Sequence, residues 1–270
     1  MRAFSLSRSD GVAEVTLLGP GKGNAMGPDF WGECAPLFHE LDGDDEVRAV
    51  VVVGSGKHFS FGLDLLGMAE ALGPLLAGQP STKQRRQFLD YVAELQGATN
   101  AVAACRKPVL AAVHGYCIGG GLDLAAACDV RLCAADAKFS IREVKLAIVA
   151  DLGSLHRLPG IIGEGTTRDL AFTGRDMPAE EALRTGLVSQ VLPDAEATLS
   201  ATREMARAIA KNPPLTVQGI KRVMNQRVVA DTAAGLEYVA AWNAAFLPSM
   251  DLAEAMQAFM EKRAPLFRGE

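Results

Sequence analysis

The sequence predicts an α/β fold that is followed by a helical C-terminal region. Two continuous apolar segments, residues 48–53 and 108–113, have the composition of strands that are covered on both faces. Helix-like stretches lie between the strands, so that strand–strand–helix units recur loosely. Near residue 195 this alternation gives way to a pattern that is almost wholly helical. We therefore expect a core at 1–194 and a helical region at 195–270.

The individual elements follow from side-chain periodicity and from turn residues. Residues 12–18 alternate with β-branched side chains and predict a strand that ends at the Gly-rich segment 19–24. Residues 28–41 predict a helix with a proline near its first turn. A longer helical stretch, 68–104, is interrupted at 73–81, and we expect a mobile loop there, over the mouth of a pocket. Further predicted elements are strands at 130–133, 139–141 and 188–192, and helices at 178–185, 195–212, 215–228, 232–246 and 252–262.

The composition is that of a globular protein. Of the 270 residues, 49% are hydrophobic and 22% are charged, far from the polar, highly charged composition of disordered chains. The net charge of −5 supplies no basic field for nucleic acid or for an anionic membrane surface. No apolar run approaches the ~20 residues of a membrane-spanning helix. We expect neither nucleic acid nor a membrane as partner.

Cysteines and histidines show no metal-binding pattern. The five cysteines contain no C-x-x-C pair, and the four histidines have no H-x-x-x-H spacing. Most of the cysteines lie among small apolar residues, where a thiol behaves as a small hydrophobe. Residues 1–11 lack the apolar stretch of a secretory signal. We expect a cytoplasmic protein that uses no metal.

The segment 113–124 is the most informative in the sequence. A strand leads into three consecutive glycines at 119–121, and an Ala-rich helix follows. This order exposes unpaired N–H groups at the positive end of a helix dipole, where an anion or a developing oxyanion can bind. A dinucleotide-binding loop would need glycine at position 117, where the chain has Cys117. A tight turn used only for packing stays as the alternative.

A second glycine loop, at 58–65, follows a predicted buried strand. An amide beside its glycine could also point into a pocket. Two such N–H groups that face one carbonyl oxygen would form an oxyanion hole, and the loss of one good donor of this kind typically lowers a rate ~10²–10³-fold.

Two carboxylates flank an almost apolar segment, 144–150. Glu143 precedes this segment and Asp151 follows it. Apolar surroundings raise the pKa of a carboxylic acid, which suits proton transfer near neutral pH. Solvated surface charges or helix caps are the alternative for both residues. Asp151 is the stronger candidate, because apolar residues lie on both sides of it.

Three separated motifs resemble those of the crotonase, or enoyl-CoA hydratase/isomerase, superfamily. They are Ser-Phe-Gly-Leu-Asp at 60–64, His-Gly-Tyr-Cys-Ile-Gly-Gly-Gly at 114–121 and Thr-Gly-Leu-Val at 185–188. The resemblance spans nearly the whole chain. It implies a crotonase-type spiral of repeated ββα units, a C-terminal helical region used in trimerisation, and self-association as a trimer or hexamer.

The resemblance also implies an acyl-CoA thioester as substrate. In this family two backbone amides hold the thioester oxygen, and by motif they fall on Phe61 and Gly120. The thioester carbonyl is then the electron sink, so no cofactor is expected beyond the CoA that is part of the substrate. The residues that resemble the family's CoA contacts are Lys22, Asn24, Ala25, Leu63 and Asp64.

The acids resemble those of one branch of the family, the Δ3,5-Δ2,4-dienoyl-CoA isomerases. This likeness rests on Asp123, Glu143 and Asp151 together with the motif at 150–159. It implies a role in fatty-acid β-oxidation, with Glu143 acting at C2, Asp151 acting at C6 and Asp123 orienting Glu143. Two alternatives stay open: an enoyl-CoA hydratase that adds water to simpler substrates, and a non-catalytic acyl-CoA-binding protein.

Overall fold

The computed structural model describes residues 1–21, 23–69, 73 and 80–268, without the side chains of 227–231. Residues 74–79 of the predicted loop at 73–81 therefore lie outside the described residues. The strands are β1 (Phe4–Ser9), β2 (Val12–Leu17), β3 (Ala49–Gly54), β4 (Val109–Val113), β5 (Tyr116–Ile118), β6 (Val130–Ala134), β7 (Lys138–Ser140), β8 (Met177–Pro178) and β9 (Gln190–Leu192). The helices are α1 (Pro28–Gly43), α2 (Thr82–Ala104), α3 (Gly120–Ala127), α4 (Ser154–Arg157), α5 (Pro159–Ile162), α6 (Glu164–Thr173), α7 (Ala179–Thr185), α8 (Ala195–Ala210), α9 (Pro214–Phe246) and α10 (Met250–Glu261).

The main sheet has six strands in the order β1-β2-β3-β4-β6-β9. β1 is antiparallel to β2, and all other neighbours are parallel, with Val50 of β3 opposite Val109 of β4. A second, three-stranded sheet has the order β5-β7-β8. The predicted α/β class is confirmed, and the two apolar segments of the sequence form the two central strands of the main sheet.

Strand β3 is buried on both faces, as its continuous apolar composition predicts. Val50 and Val52 belong to the main hydrophobic core, together with residues of α1 and α2. Ala49 and Val51 belong to a second cluster that includes Ala206 of α8. Because successive side chains of a strand point to opposite faces, a helix from beyond residue 195 completes the packing of the N-terminal sheet.

The last two helices pack against the part of the chain that carries the acids. α9 contacts α2 and α4, and α10 contacts a 3-10 turn at Glu143–Leu146. The sequence predicts two helices, at 215–228 and 232–246, whereas α9 is one unbroken helix. Residues 226–234 contain neither proline nor glycine, so nothing in them ends the helix. None of the described helices combines the length and hydropathy needed to cross a bilayer.

Candidate active site

Two glycine loops meet at the N-terminal end of α3. Ser60 N–H donates to Tyr116 O (3.0 Å), and Ile118 N–H donates to Ser60 O (3.1 Å), which ties the 58–65 loop to β5. Gly62 has a φ of +79°, and a Cβ at this position would lie 2.7 Å from the backbone nitrogen of Gly120. Glycine permits both this left-handed backbone and this close approach. The two loops that the sequence singles out therefore lie against each other.

One predicted oxyanion donor is free, and the other is not. Gly120 is the first residue of α3, and none of the described residues accepts its N–H, as is usual for the first turn of a helix. Phe61 N–H, by contrast, donates to Gly23 O at 2.7 Å. The prediction of Phe61 as an oxyanion donor is wrong, because its hydrogen is already used within the protein.

Leu63, which follows Gly62, carries a free N–H group in this loop. Met26 N–H donates to Gly62 O (2.7 Å) and Asp64 N–H donates to Met26 O (3.1 Å), so the N–H of Leu63, between them, turns away from Met26. No acceptor in the described part of the chain takes the Leu63 hydrogen. Leu63 and Gly120 line the same cavity. The sequence shows the glycine but not the direction of the peptide groups around it, which explains the error.

A cavity of about 680 Å³ is lined by the residues that carry the two free N–H groups, Leu63 and Gly120, and by two of the acids, Glu143 and Asp151. Its volume lies within the range of small-molecule binding sites. α2 and α10, which are far apart in the sequence, both contribute apolar residues to the wall of the cavity. The apolar residues that these helices contribute are Phe88, Tyr91, Leu95, Ala255, Ala258 and Phe259.

Glu143, which lines this cavity, forms a carboxyl pair with Asp123, which lies behind it. Asp123 is fully buried on α3, and its Oδ1 accepts a hydrogen bond from Ser154 N–H (2.5 Å). Asp123 Oδ2 and Glu143 Oε2 are both buried, and neither receives a hydrogen bond from another described group. Burial raises the pKa of both carboxyls, and the charge of Asp123 raises that of Glu143 further. One proton shared between the two oxygens relieves both effects.

Glu143 reaches the N-terminal end of α3 from the 3-10 turn. A Cβ on Gly119 would lie 3.6 Å from Glu143 Oε1. This contact puts the carboxyl next to the residue that precedes the free N–H of Gly120. Oε2 is buried, whereas the residue as a whole is only partly buried and lines the cavity. Oε1 is therefore the oxygen that a bound molecule can approach.

Asp151 is the third acid. Its Oδ2 accepts a hydrogen bond from Asn243 Nδ2 at 2.7 Å. Burial is the main reason that the pKa of Asp151 is raised to about 7. The hydrogen bond from Asn243 lowers this pKa, and the charge of Asp123 raises it by a smaller amount. A carboxyl with this pKa populates both protonation states near neutral pH, which suits a general acid or base.

The side chains that hold Asp151 are not evident from the sequence. Besides Asn243, Gln96 Nε2 donates to Asp151 O (2.9 Å) and Thr99 Oγ1 donates to Leu152 O (2.8 Å). Gln96 and Thr99 lie on the buried face of α2, and Asn243 is buried on α9. A polar residue on the apolar face of a helix needs a partner, but the sequence does not show which partner it has.

The predicted CoA contacts have different environments. Three of them line the cavity: Ala25, Leu63 and Asp64. Asn24 is buried, and its Nδ2 donates to Ser55 O and His58 O at 2.8 Å each. The prediction of Asn24 as a CoA contact is therefore wrong for its side chain, which fixes the loop instead. Lys22 lies outside the described residues.

Comparison with known proteins agrees with this architecture. Residues 7–270 match the family described as enoyl-CoA hydratase/isomerase. The chain belongs to the enoyl-CoA hydratase/isomerase family. It is 43% identical, over 260 residues, to the mitochondrial Δ(3,5)-Δ(2,4)-dienoyl-CoA isomerase of Dictyostelium discoideum, with 95% of this chain and 87% of that protein covered. It is 42% identical, over 244 residues, to a peroxisomal isomerase of the same name from Arabidopsis thaliana, with 90% and 88% covered.

Solved structures of hydratases from the same family have a similar fold. A crystal structure of an enoyl-CoA hydratase from Mycobacterium avium subsp. paratuberculosis matches with a TM-score of 0.83 and 26% identity, and 98% of each chain is covered. The predicted family and its fold are confirmed. The prediction of a cytoplasmic location is wrong on this comparison, because the isomerases that match most of the chain are mitochondrial and peroxisomal proteins. Composition and net charge carry no information about the cellular compartment of a protein.

Proposed function

We propose that the enzyme is a Δ3,5-Δ2,4-dienoyl-CoA isomerase of fatty-acid β-oxidation. The observation that carries the proposal is one cavity that joins two free main-chain N–H groups to two different carboxyls, Glu143 and Asp151. The names of the isomerases that are 42–43% identical to this chain support it. Conversion of a 3,5-diene into a 2,4-diene removes a proton from C2 and adds one at C6, so two separated acids suit the reaction.

The thioester carbonyl oxygen binds between the N–H groups of Leu63 and Gly120. Loss of a proton from C2 drives electrons toward this oxygen and gives an enolate. Hydrogen-bond donors that are already in position stabilise that charge more than they stabilise the neutral thioester, and this difference lowers the barrier. The apolar walls from α2 and α10 exclude water around the same atoms, which strengthens the interaction.

Glu143 Oε1 takes the proton from C2. For this step the shared proton of the carboxyl pair moves to Asp123 Oδ2, which then donates a hydrogen bond to Glu143 Oε2, so that Oε1 carries the basic electron pair. Asp123 thus orients Glu143 and keeps it basic in a buried site, while Ser154 N–H holds Asp123 in place (2.5 Å). Asp123 is a positioning residue in this scheme.

Asp151 completes the reaction by protonating C6. The electrons released at C2 pass into the conjugated system; the C3–C4 and C5–C6 bonds lose their double-bond character, and C2–C3 and C4–C5 gain it. Glu143 ends with one proton more and Asp151 with one fewer, and exchange with solvent restores both. The substrate is neither oxidised nor reduced, so the chemistry requires no redox cofactor, and CoA enters only as part of the substrate.

We also propose that the enzyme self-associates as a trimer or hexamer. Several large apolar side chains of α9 are exposed in the isolated chain, and exposed apolar patches are typical of protein interfaces. The exposed residues on this helix include Leu215, Ile220, Val223, Met224, Tyr238, Trp242 and Phe246. Light scattering gives the mass in solution; a monomer at micromolar concentration would contradict the proposal.

The experiment that tests the isomerase proposal compares two substrates. Purified enzyme is given 3,5-dienoyl-CoA, and the 2,4-dienoyl product is followed by its ultraviolet absorbance; crotonyl-CoA tests for hydration in parallel. We expect rapid turnover of the diene and little loss of crotonyl-CoA. In D₂O we expect deuterium at C6, because a second acid supplies that proton. Faster turnover of crotonyl-CoA would instead indicate a hydratase, and binding without any turnover would indicate a non-catalytic protein.

A further inference from the structure

We propose that Asn243 is a positioning residue for the second acid, Asp151. Its side-chain amide donates a hydrogen bond to Asp151 Oδ2, and Oδ1 is therefore the oxygen that gives the proton to the substrate. This inference rests on the proposed isomerase function. It assigns a role in the chemistry to α9, which lies wholly outside the predicted core at 1–194.

The hydrogen bonds of Asn243 determine which way its amide faces. Nδ2 donates one hydrogen to Asp151 Oδ2 (2.7 Å) and the other to Val149 O (2.8 Å). Both partners are acceptors, so a rotated amide would bring its own oxygen against two oxygens. Asn243 is only 1% exposed, and a buried amide without partners is costly. The donor is therefore locked onto Oδ2.

The two oxygens of Asp151 consequently differ. Oδ2 accepts the Asn243 hydrogen, and in a carboxylic acid the unprotonated carbonyl oxygen is the better acceptor, so this bond favours the proton on the other oxygen. No other described residue donates to Oδ1, and Asp151 lines the cavity. In the protonated acid the hydrogen therefore lies on Oδ1, and this oxygen is free to approach a carbon of the substrate.

The main chain around Asp151 is held independently of Asn243. Gln96 Nε2 donates to Asp151 O (2.9 Å) and to Leu236 O (3.0 Å), and Thr99 Oγ1 donates to Leu152 O (2.8 Å). α2 thus fixes the backbone, and α9 fixes the carboxyl. This division provides a matched control, because Gln96 is also a buried amide with two acceptors but does not touch the carboxyl.

Several charged groups surround the Asp151 carboxyl. The charge of Asp123, on α3, disfavours the ionised form of Asp151, and the charge of Asp151 in turn raises the pKa of Glu143 in the 3-10 turn. Arg157 is a buried cation of α4, and its Nη1 donates to Leu152 O (3.1 Å). Among these neighbours Asn243 is the side chain that directly donates a hydrogen bond to the carboxylate, and it lowers the pKa of Asp151.

The test compares Asn243→Leu with Gln96→Met, two nearly isosteric replacements of buried amides. The Asp151 carboxyl is titrated by ¹³C NMR in enzyme labelled at aspartate Cγ, and its resonance is assigned by its loss in Asp151→Asn. We expect Asn243→Leu to raise the pKa of Asp151 from about 7 by about one unit or more, the effect of one lost hydrogen bond to a charged group. Gln96→Met should leave this pKa unchanged despite a similar loss of thermal stability.

Kinetics provide the second measurement. Asn243→Leu should lower kcat for 3,5-dienoyl-CoA about 10–100-fold, with little change in KM, because the substrate still binds but the acid is misoriented. An unchanged Asp151 pKa in Asn243→Leu, or an equal change in Gln96→Met, would overturn the inference. If Asn243→Leu does not fold, Asn243→Ala takes its place. Wild-type enzyme that does not consume the diene would refute the proposed function alone, since the NMR titration needs no substrate.

Discussion

The two ends of the cavity are built from different parts of the chain. At the thioester end, the donors are main-chain N–H groups of Leu63 and Gly120, which lie in two glycine loops. At the other end, a side-chain acid, Asp151, is held by polar side chains from α2 and α9, more than 50 positions away along the chain on either side. Backbone geometry thus sets one end, and long-range packing of side chains sets the other.

This difference indicates which substitutions each end tolerates. A backbone donor survives most changes of its own side chain but not a change in the glycine that lets the loops approach. A side-chain acid is lost by one substitution and is altered by any change in its hydrogen-bond partners. The following predictions test this contrast in order of decreasing effect.

Removal of the base at the thioester end should have the largest effect. Glu143→Gln keeps the shape of the side chain but cannot accept the C2 proton, and positioned acid–base groups typically contribute ~10²–10⁴-fold. We expect kcat for 3,5-dienoyl-CoA to fall by this factor with little change in KM. Binding of a saturated acyl-CoA, measured by calorimetry, serves as the control. A variant with more than a tenth of wild-type kcat would show that Glu143 is not the base.

A side chain placed between the two loops should lower the activity nearly as much. In Gly62→Ala the added methyl group would lie 2.7 Å from Gly120 N, on a backbone with φ of +79°. The loops must move apart, so we expect ~10²–10³-fold lower kcat, the cost of losing an oxyanion donor. Gly97→Ala is the matched control, because nothing lies within 4 Å of its added Cβ. Full activity in Gly62→Ala would contradict the assignment of Leu63 and Gly120.

The contrast between the two ends also explains what the sequence could predict. Gly120 and the three acids belong to local motifs, so their identity can be inferred from neighbouring residues. The predicted donor Phe61 is wrong because the choice between it and Leu63 depends on how the peptide groups turn around Gly62. That turn is a property of the folded loop.

The supports of Asp151 could not be predicted for another reason. Gln96 and Asn243 become partners of the 149–152 segment only when α2 and α9 pack against it. Neither residue belongs to a motif, and each resembles an ordinary polar residue in a helix. The strands were easier to predict, because the apolar composition of β3 directly reflects burial on both faces.

The pH dependence of kcat should reflect the protonation of Asp151, the acid at the far end of the cavity. Asp151 must carry a proton to protonate C6, and burial raises its pKa to about 7. We therefore expect kcat to decline as the pH rises above about 7, up to tenfold per unit when proton transfer limits the rate. The profile is measured between pH 5.5 and 9 with saturating substrate. In Asp151→Asn the residual rate should lack this decline; persistence of the same decline would assign it to another group.

The last prediction concerns stability rather than turnover, and its sign follows from the same pKa. Because the pKa of Asp151 in the folded protein is about 7, above its usual value of 3.8, the folded state binds an additional proton between these values. Stability from this group is complete below the usual pKa and is lost as the pH rises through about 7. Asp151→Asn should therefore be more stable than wild type at pH 8, by at most about 4 kcal/mol, and the difference should vanish near pH 4. Urea unfolding at both pH values measures this difference, with Asp90→Asn, a change of an exposed acid on α2, as control.

A buried acid kept for proton transfer lowers stability at the pH where it works. An Asp151→Asn enzyme that is less stable than wild type at pH 8 would therefore argue that this carboxyl has a structural role instead.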